Sequence, residues 1–198
     1  LSQNSLILAL LLTMLAGILL GMGLPTTPAY IVQVALLVPA LVKLGVQVEA
    51  AHLFVLYFAV LSAITPPVAM AVYAANGISR GTLMETSWAA VKLGLTGYII
   101  PFMFVSSPSL LLMGDVPTMF SSALTATVGV VCLAGGLHAY FFFGPARWWD
   151  RILLVVAALV LIKPGWQTDL IGVALIAAVI GSQLLVRGGS AKPLRQNS

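Results

Sequence analysis

The sequence predicts an all-α, polytopic membrane protein, and three observations carry this prediction. Of the 198 residues, 61% are hydrophobic and 7% are charged, and the mean hydropathy is +1.10. The apolar residues form long runs that the charged residues avoid, as expected where a charge in mid-bilayer is costly. Two of these runs are interrupted, one by Gly and Pro and the other by two consecutive prolines. The net charge of +4 is spread over loops and the tail, which does not favour a nucleic-acid partner.

The first element is a pair of apolar arms, 6–20 and 29–42, joined by the tip 21–28. Each arm has about 14–15 residues, or roughly 21–23 Å of helix, whereas a hydrocarbon core is about 30 Å thick. We therefore expect a re-entrant hairpin that enters the membrane and returns. Non-helical backbone at that depth is tolerated only where it is buried in protein or lines a wet cavity. The tip is therefore a candidate functional site.

A polar connector, 43–51, leads into a second apolar stretch, 52–75. The segment Ser62-Ala63-Ile64-Thr65-Pro66-Pro67 interrupts this stretch near its middle. Two consecutive prolines remove two backbone donors and clash with the preceding turn. The pattern predicts a broken helix in which Ile64 and Thr65 lose their helical hydrogen bonds.

The next segment, 76–92, is mixed in polarity and predicts an amphipathic helix at the membrane interface. The tail from Arg187 is basic and is expected to be disordered. Between them, four plain spans are predicted over 93–113, 118–143, 148–162 and 170–186.

The distribution of Lys and Arg predicts the orientation of these spans. If 76–92 is cytoplasmic, the loop 144–151 and the tail also lie inside, and both ends of the hairpin lie outside. The inside segments then carry seven basic residues and the outside segments two. The hairpin tip accordingly points from the outer side towards the membrane midplane.

The tip carries residue types that a membrane-buried site needs. Gly21 and Gly23 permit close backbone approach and unusual dihedral angles. Pro25 keeps the tip from closing into one continuous helix. The hydroxyls of Thr26 and Thr27 can cap the second arm or face a ligand.

The second break offers the same chemistry through Ser62 and Thr65. Interrupted helices provide carbonyl and hydroxyl oxygens for a cation and helix N-termini for an anion. Oxygen ligands without carboxylates suit Na⁺ better than a divalent ion. The alternative is that Gly and Pro only kink tightly packed helices.

Three motifs together resemble a known transporter family. They are Gly-Met-Gly-Leu-Pro-Thr-Thr-Pro-Ala-Tyr at 21–30, Ile-Thr-Pro-Pro-Val-Ala at 64–69, and Ala-Ala-Asn-Gly-Ile-Ser at 74–79. The chain resembles the large permease subunit of the tripartite ATP-independent periplasmic (TRAP) transporters, and most closely the fused permeases that work with TAXI-type receptors. The resemblance is specific over about residues 1–115. The later spans resemble in layout the C-terminal extension of the fused forms.

The resemblance implies a multi-pass permease of the bacterial inner membrane that imports organic anions, often carboxylates, using a Na⁺ gradient. A periplasmic TAXI-type solute-binding protein would deliver the substrate, and the transport domain would move as an elevator. Of two inverted repeats, 1–115 would be the second, with its re-entrant hairpin and broken helix. Residues 116–198 would supply C-terminal transmembrane helices and a basic cytoplasmic tail.

The resemblance also implies roles for the residues at the two interruptions. The backbone and hydroxyl groups that would hold the coupling ion Na⁺ belong to Gly21, Gly23, Ser62 and Thr65, and no cofactor is expected. The residues that would line the substrate site are Pro25, Thr26, Thr27 and Pro66. The first repeat is not in this sequence, and Leu1-Ser-Gln-Asn-Ser resembles no signal peptide. We therefore expect a C-terminal portion whose partner is the N-terminal half of the permease.

Other classes of function fit the sequence less well. A non-coupled channel would need a continuous polar lining, and a structural membrane subunit would suit 116–198 alone. An enzyme would need a nucleophile, acid or metal cluster at depth, and no HExxH, GxSxG, Walker or CxxC motif occurs. The acidic residues Asp115, Asp150 and Asp169 are predicted in loops, with Asp150 at a solvated corner.

Overall fold

A computed structural model describes residues 6–141, 144–162 and 166–189. These residues confirm an all-α protein built from apolar helices. The helices are α1 (Leu6–Gly21), α2 (Thr26–Lys43), α3 (Val48–Leu61), α4 (Met70–Ser79), α5 (Leu83–Leu93), α6 (Ile100–Ser106), α7 (Val116–His138), α8 (Trp148–Ile162) and α9 (Trp166–Gly189). Short 3₁₀ turns lie at Ser62–Ile64, Leu95–Tyr98 and Pro108–Leu111. Two-residue strands, β1 (Tyr140–Phe141) and β2 (Gly144–Pro145), pair antiparallel.

The chain divides into two compact units, Leu1–Phe120 and Ser121–Ser198. The core of the first unit gathers around α3, where Phe54 and Phe58 are fully buried. Phe102 of α6 stacks edge-on against Phe54, with ring centroids 5.1 Å apart. A separate functional role for 1–115 and 116–198 stays a prediction.

The two arms of the expected hairpin are α1 and α2, which pack against each other and are joined by a turn at 22–25. The prediction that both arms are too short to span is wrong for α2. That helix has 18 residues and is long and apolar enough to cross a membrane. It is longer because Thr26, Thr27 and Pro28 form its first turn, where a missing proline N–H costs nothing.

The expected broken helix is present. Helix α3 passes into a 3₁₀ turn at Ser62–Ile64, and α4 resumes at Met70. Between them, the Pro66–Pro67 peptide bond is cis, and Ala69 has a positive φ of 43°. The polar connector is shorter than predicted, since α2 continues to Lys43 and α3 begins at Val48.

The prediction of one amphipathic helix over 76–92 is wrong. Helix α4 ends at Ser79, and Arg80 adopts a positive φ of 53°. Helix α5 then starts behind Thr82, whose hydroxyl accepts the Glu85 N–H while the Glu85 carboxylate accepts the Thr82 N–H. This capping box fixes a new helix start in the middle of the predicted segment.

The plain span expected over 93–113 is also wrong. Helix α5 and the segment Leu95–Ser106 meet at an angle of 65°. The bend contains Gly94 and Gly97, and Pro101 lacks the N–H that a continuous helix would need. A short 3₁₀ turn at Pro108–Leu111 follows.

Two of the described helices, α2 and α7, are long and apolar enough to cross a membrane, and the bent pair adds a third if it forms one span. Large apolar side chains on their surfaces are exposed, among them Ile31 and Phe120. Hydrocarbon-facing surfaces account for this exposure, and the protein is a membrane protein.

The second unit packs α7, α8 and α9 through glycines. A Cβ at Gly129 would lie 3.4 Å from the Ala158 carbonyl oxygen, and one at Gly136 would lie 3.0 Å from the Arg151 carbonyl oxygen. A Cβ at Gly172 would collide with Leu161. Small residues at these points let the helix backbones approach closely, as is common between membrane helices.

The later helices follow the predicted spans with shifted ends. Helix α8 has the predicted bounds, whereas α7 stops at His138 because Ala139 turns the chain with a φ of 57°. At the start of α7, the Thr118 hydroxyl donates to Asp115 and holds the pKa of that carboxyl below its usual value. Helix α9 continues past Arg187. The rest of the predicted disordered tail, 190–198, lies outside the described residues.

The prediction of a solvated Asp150 is wrong. Asp150 lies in the first turn of α8 and is 4% exposed. Its carboxylate accepts the Arg147 N–H at 3.2 Å and the Ser182 hydroxyl of α9 at 2.9 Å. Asp169 likewise lies in the first turn of a helix, α9, and not in a loop. Both carboxylates sit near helix N-termini, where a negative charge is favoured.

Candidate functional site

The end of the first arm lies directly against the second break. A Cβ at Gly21 would collide with the Ser62 side chain. Ser62 is 1% exposed, and its hydroxyl donates to the Ala59 carbonyl at 2.7 Å. Its oxygen lone pairs therefore remain available beside Gly21. Gly21 and Ser62, both predicted as Na⁺ ligands, are thus brought together across two helices.

Gln33 of α2, which was not among the predicted site residues, completes this junction. Its side chain is 0% exposed and lies along α1. The amide oxygen is 3.1 Å from the position of a Cβ at Gly17, and the amide nitrogen is 3.0 Å from that of a Cβ at Gly21. The two glycines, one helical turn apart, make room for the amide. Among the described residues, neither polar atom of Gln33 has a hydrogen-bond partner.

A signal for Gln33 was present in the sequence. It is the one amide in the apolar run 29–42. Polar groups inside a membrane protein are expensive and face the protein interior or a cavity. Its buried, unpartnered amide is an uncommon arrangement, because such a group costs about 1–3 kcal/mol when left unsatisfied.

The tip is more exposed than the buried ligand site that was predicted there. Gly23 has a φ of 77°, and a Cβ there would lie 3.7 Å from the Val68 side chain of the break. Pro25 takes the N-cap position of α2, which has no side-chain cap. The prediction that Thr26 or Thr27 caps this helix is therefore wrong. Both threonines are exposed.

Thr65 holds the geometry of the break. Its hydroxyl donates to the Leu61 carbonyl at 2.7 Å and lies 2.6 Å from the Tyr98 hydroxyl. Since the single Thr65 proton goes to Leu61, Tyr98 donates to Thr65. One acceptor lone pair of Thr65 remains for a ligand.

The prolines leave a carbonyl group without a helical partner. In a continuous α-helix, the Ala63 carbonyl would accept from residue 67, and Pro67 has no N–H. No other backbone N–H of the described residues donates to it. The Ser62 carbonyl accepts from the Thr65 N–H at 3.3 Å, a 3₁₀-type hydrogen bond in place of the α-helical bond that Thr65 was predicted to lose. Pro66 is half-buried at the centre of this segment.

The bend between α5 and α6, which contains Tyr98, also packs onto the break through its glycines. A Cβ at Gly94 would lie 2.8 Å from the Ile64 side chain, and one at Gly97 would lie 3.4 Å from Leu61. The plain span predicted for this region does not include such a contact.

The chemistry of the junction is that of neutral oxygen donors. Among the described residues, no group of three or more His, Cys, Asp or Glu side chains is placed to hold a metal ion. The Ser62 hydroxyl lies beside Gly21, the Gln33 amide oxygen lies one helical turn away beside Gly17, and the break adds the Ala63 carbonyl. Such ligands suit a weakly bound monovalent cation.

The family described as "Tripartite ATP-independent periplasmic transporter, DctM component" matches residues 1–119. This range ends one residue before the boundary of the first compact unit. No curated protein and no solved structure matches the chain. The family is one of transporters and not of enzymes, and it implies a periplasmic solute-binding partner and a membrane setting. Its match covers more than half of the sequence, and the chain accordingly belongs to the DctM family of TRAP transporter permease components.

Proposed function

We propose that this chain forms the second inverted repeat and the C-terminal helices of a Na⁺-coupled permease. It imports organic anions, carboxylates in particular, that a periplasmic TAXI-type solute-binding protein delivers to the bacterial inner membrane. The observation that carries this proposal is the junction at which Gly21, Gln33 and Ser62 meet. It joins the hairpin to the broken helix.

The Na⁺ part of the proposal is supported by the donors at this junction. The Gln33 amide and the Ala63 carbonyl are oxygen-bearing groups whose partners are missing among the described residues. A bound cation satisfies these two oxygens, whereas the Gln33 amide nitrogen is a donor and needs an acceptor. We assign Gly21, Gly23, Ser62 and Thr65 to the Na⁺ site, as the sequence suggested, and add Gln33.

The substrate part is supported by the two helices that start here. Helix α2 begins at the tip and α4 begins just after the break. Helix N-termini favour anions because their first N–H groups are unpaired and the helix dipole is positive there. Pro25, Thr26 and Thr27 at one start, and Pro66 before the other, line the proposed carboxylate site.

The test is solute uptake into vesicles that contain the complete permease. The four conditions combine an imposed Na⁺ gradient or none with the solute-binding protein present or absent. The proposal predicts uptake only when both are present. Uptake that ignores the Na⁺ gradient and the solute-binding protein, in vesicles shown to contain the inserted permease, contradicts it and favours a non-coupled channel.

A further inference from the structure

A groove in the second unit lies between the end of α7 and the first half of α8. Its volume is about 400 Å³. Leu137 of α7 and Ile152, Val155 and Val156 of α8 form its apolar walls. Trp148 and Arg151 also line it, so an aromatic ring and a positive charge stand among the apolar side chains of its described lining.

The Arg151 guanidinium is held in place by the groove itself. Its Nε–H donates to the Gly136 carbonyl of α7 at 3.0 Å. A guanidinium has five N–H donors, so the two terminal amino groups are left to bind an anion. Because one hydrogen bond already orients the side chain, less conformational entropy is lost when an anion binds.

The neighbouring carboxylate does not neutralise this charge. Asp150 points into the interface between α8 and α9, where the Ser182 hydroxyl donates to it. It is 4% exposed, whereas Arg151 is exposed. The groove therefore presents a positive charge to its surroundings.

The groove continues as an apolar stripe along one face of α8. Trp148, Ile152, Val156 and Leu159 are exposed at 64%, 54%, 42% and 54%. Their spacing covers roughly 16 Å of helix. The Trp148 ring at the start of this stripe suits the headgroup region of a membrane, and the aliphatic side chains that follow suit the hydrocarbon core.

We propose that this groove binds an anionic phospholipid. The phosphate lies at Arg151, Trp148 flanks the headgroup at the start of α8, and one acyl chain runs along Ile152, Val156 and Leu159. Basic pockets between membrane helices bind anionic headgroups in this way. The excess of Lys and Arg predicts that this end of the unit faces the cytoplasm, where anionic lipids attract basic residues.

A second groove at the end of α7 provides an internal contrast. It has a volume of about 360 Å³ and includes His138 and Tyr140 in its lining. No Lys or Arg is among the described residues that line it. We therefore expect a preference for anionic lipid at the Arg151 groove and none at the His138 groove.

The test follows Trp148 fluorescence in the full chain reconstituted in phosphatidylcholine vesicles. Trp88→Phe, Trp149→Phe and Trp166→Phe leave Trp148 as the single indole. Phosphatidylglycerol or phosphatidylcholine with brominated acyl chains is added in increasing amounts, because bromine quenches a nearby indole. We expect half-maximal quenching at a mole fraction of phosphatidylglycerol about fivefold lower than that of phosphatidylcholine.

Three charge variants show whether Arg151 is responsible. Arg151→Gln abolishes the preference for phosphatidylglycerol, Arg151→Lys keeps most of it, and the control Arg147→Gln keeps all of it. Circular dichroism checks the helix content, and if Arg151→Gln does not fold, the lipid preference of the unsubstituted groove and of Arg151→Lys decides.

Three results would overturn the proposal. They are equal quenching by the two lipids, equal preferences in Arg151→Gln and Arg147→Gln, and loss of the preference in millimolar inorganic phosphate. The last result would mean that the groove takes a soluble anion.

Discussion

At the scale of single residues, Gln33 carries the most information about the site. Its amide fits between α1 and the second break only because Gly17 and Gly21 have no side chains. Both polar atoms are buried and unpartnered among the described residues. Burial without hydrogen bonds costs stability, and we therefore propose that a ligand binds at the amide oxygen.

A substitution of Gln33 separates the stability cost of burying its amide from the contribution of the amide to Na⁺ binding. Gln33→Met has nearly the same shape and no unpaired polar group, so we expect the Na⁺-free protein to gain about 1–3 kcal/mol of stability. We also expect Na⁺ to stabilise the variant less than the wild type. Thermal unfolding in detergent, with Na⁺ or choline as the cation, measures both effects.

The matched control for this variant is Gln183→Met. Gln183 of α9 is also buried, and both of its polar amide atoms lack partners among the described residues, but it belongs to the second unit. It should gain stability without any change in the Na⁺ response. A Gln33→Met protein that responds to Na⁺ like the wild type would remove Gln33 from the ligand set.

Gly23 tests whether the tip needs its backbone exposed. Gly23→Leu should abolish uptake, because a large side chain blocks close approach at the tip and because a φ of 77° is strained for leucine. Gly23→Asn separates these causes, since asparagine tolerates positive φ. Initial uptake rates should then be lost in the first variant and retained at least in part in the second. Near-normal uptake by Gly23→Leu would place the tip away from the site.

At the scale of elements, the sequence predicts where helices are interrupted by Gly and Pro better than it predicts which apolar segments form one unbroken helix. The hairpin and the break were foreseen because Gly and Pro act locally on the backbone, at Gly21, Gly23, Pro66 and Pro67. The bend at 94–99 was missed, because hydropathy stays high across it and its glycines matter only for packing against Ile64 and Leu61. The contact of Gln33 with α1 was not predicted either, because it depends on the distance between two helices, which a sequence does not contain.

The break between α3 and α4 is held by a pair of hydroxyls that can be tested separately. Thr65→Val should weaken the Na⁺ dependence of uptake and leave membrane insertion intact, while Thr65→Ser should behave like the wild type. Tyr98→Phe removes the donor to Thr65 and leaves the Thr65 hydroxyl in place. It should therefore cost about 1 kcal/mol of stability and change the Na⁺ dependence less.

The measurement for this pair is the Na⁺ concentration that gives half-maximal uptake, together with thermal unfolding of each variant. A Na⁺ response in Thr65→Val equal to that of the wild type would remove Thr65 from the ligands. Equal changes in Thr65→Val and Tyr98→Phe would mean that Thr65 acts only by shaping the break.

At the scale of the whole molecule, the motifs and the family match point to the same part of the chain. The matched residues 1–119 contain the hairpin, the break and the bend that packs on it. The helices of the second unit carry no motif that identified a role from sequence. Their packing through Gly129, Gly136 and Gly172 is visible only in the three-dimensional structure.

The most direct test of the central claim is Na⁺-driven uptake by Gly21→Ala compared with Gly77→Ala in the complete permease. Both glycines lie in helices, but a Cβ at Gly21 collides with Ser62, whereas none at Gly77 meets another atom within 4 Å. We predict that Gly21→Ala inserts normally and loses Na⁺-dependent uptake, and that Gly77→Ala transports like the wild type. Wild-type Na⁺ dependence in Gly21→Ala would contradict the assignment of the hairpin–break junction as the coupling site.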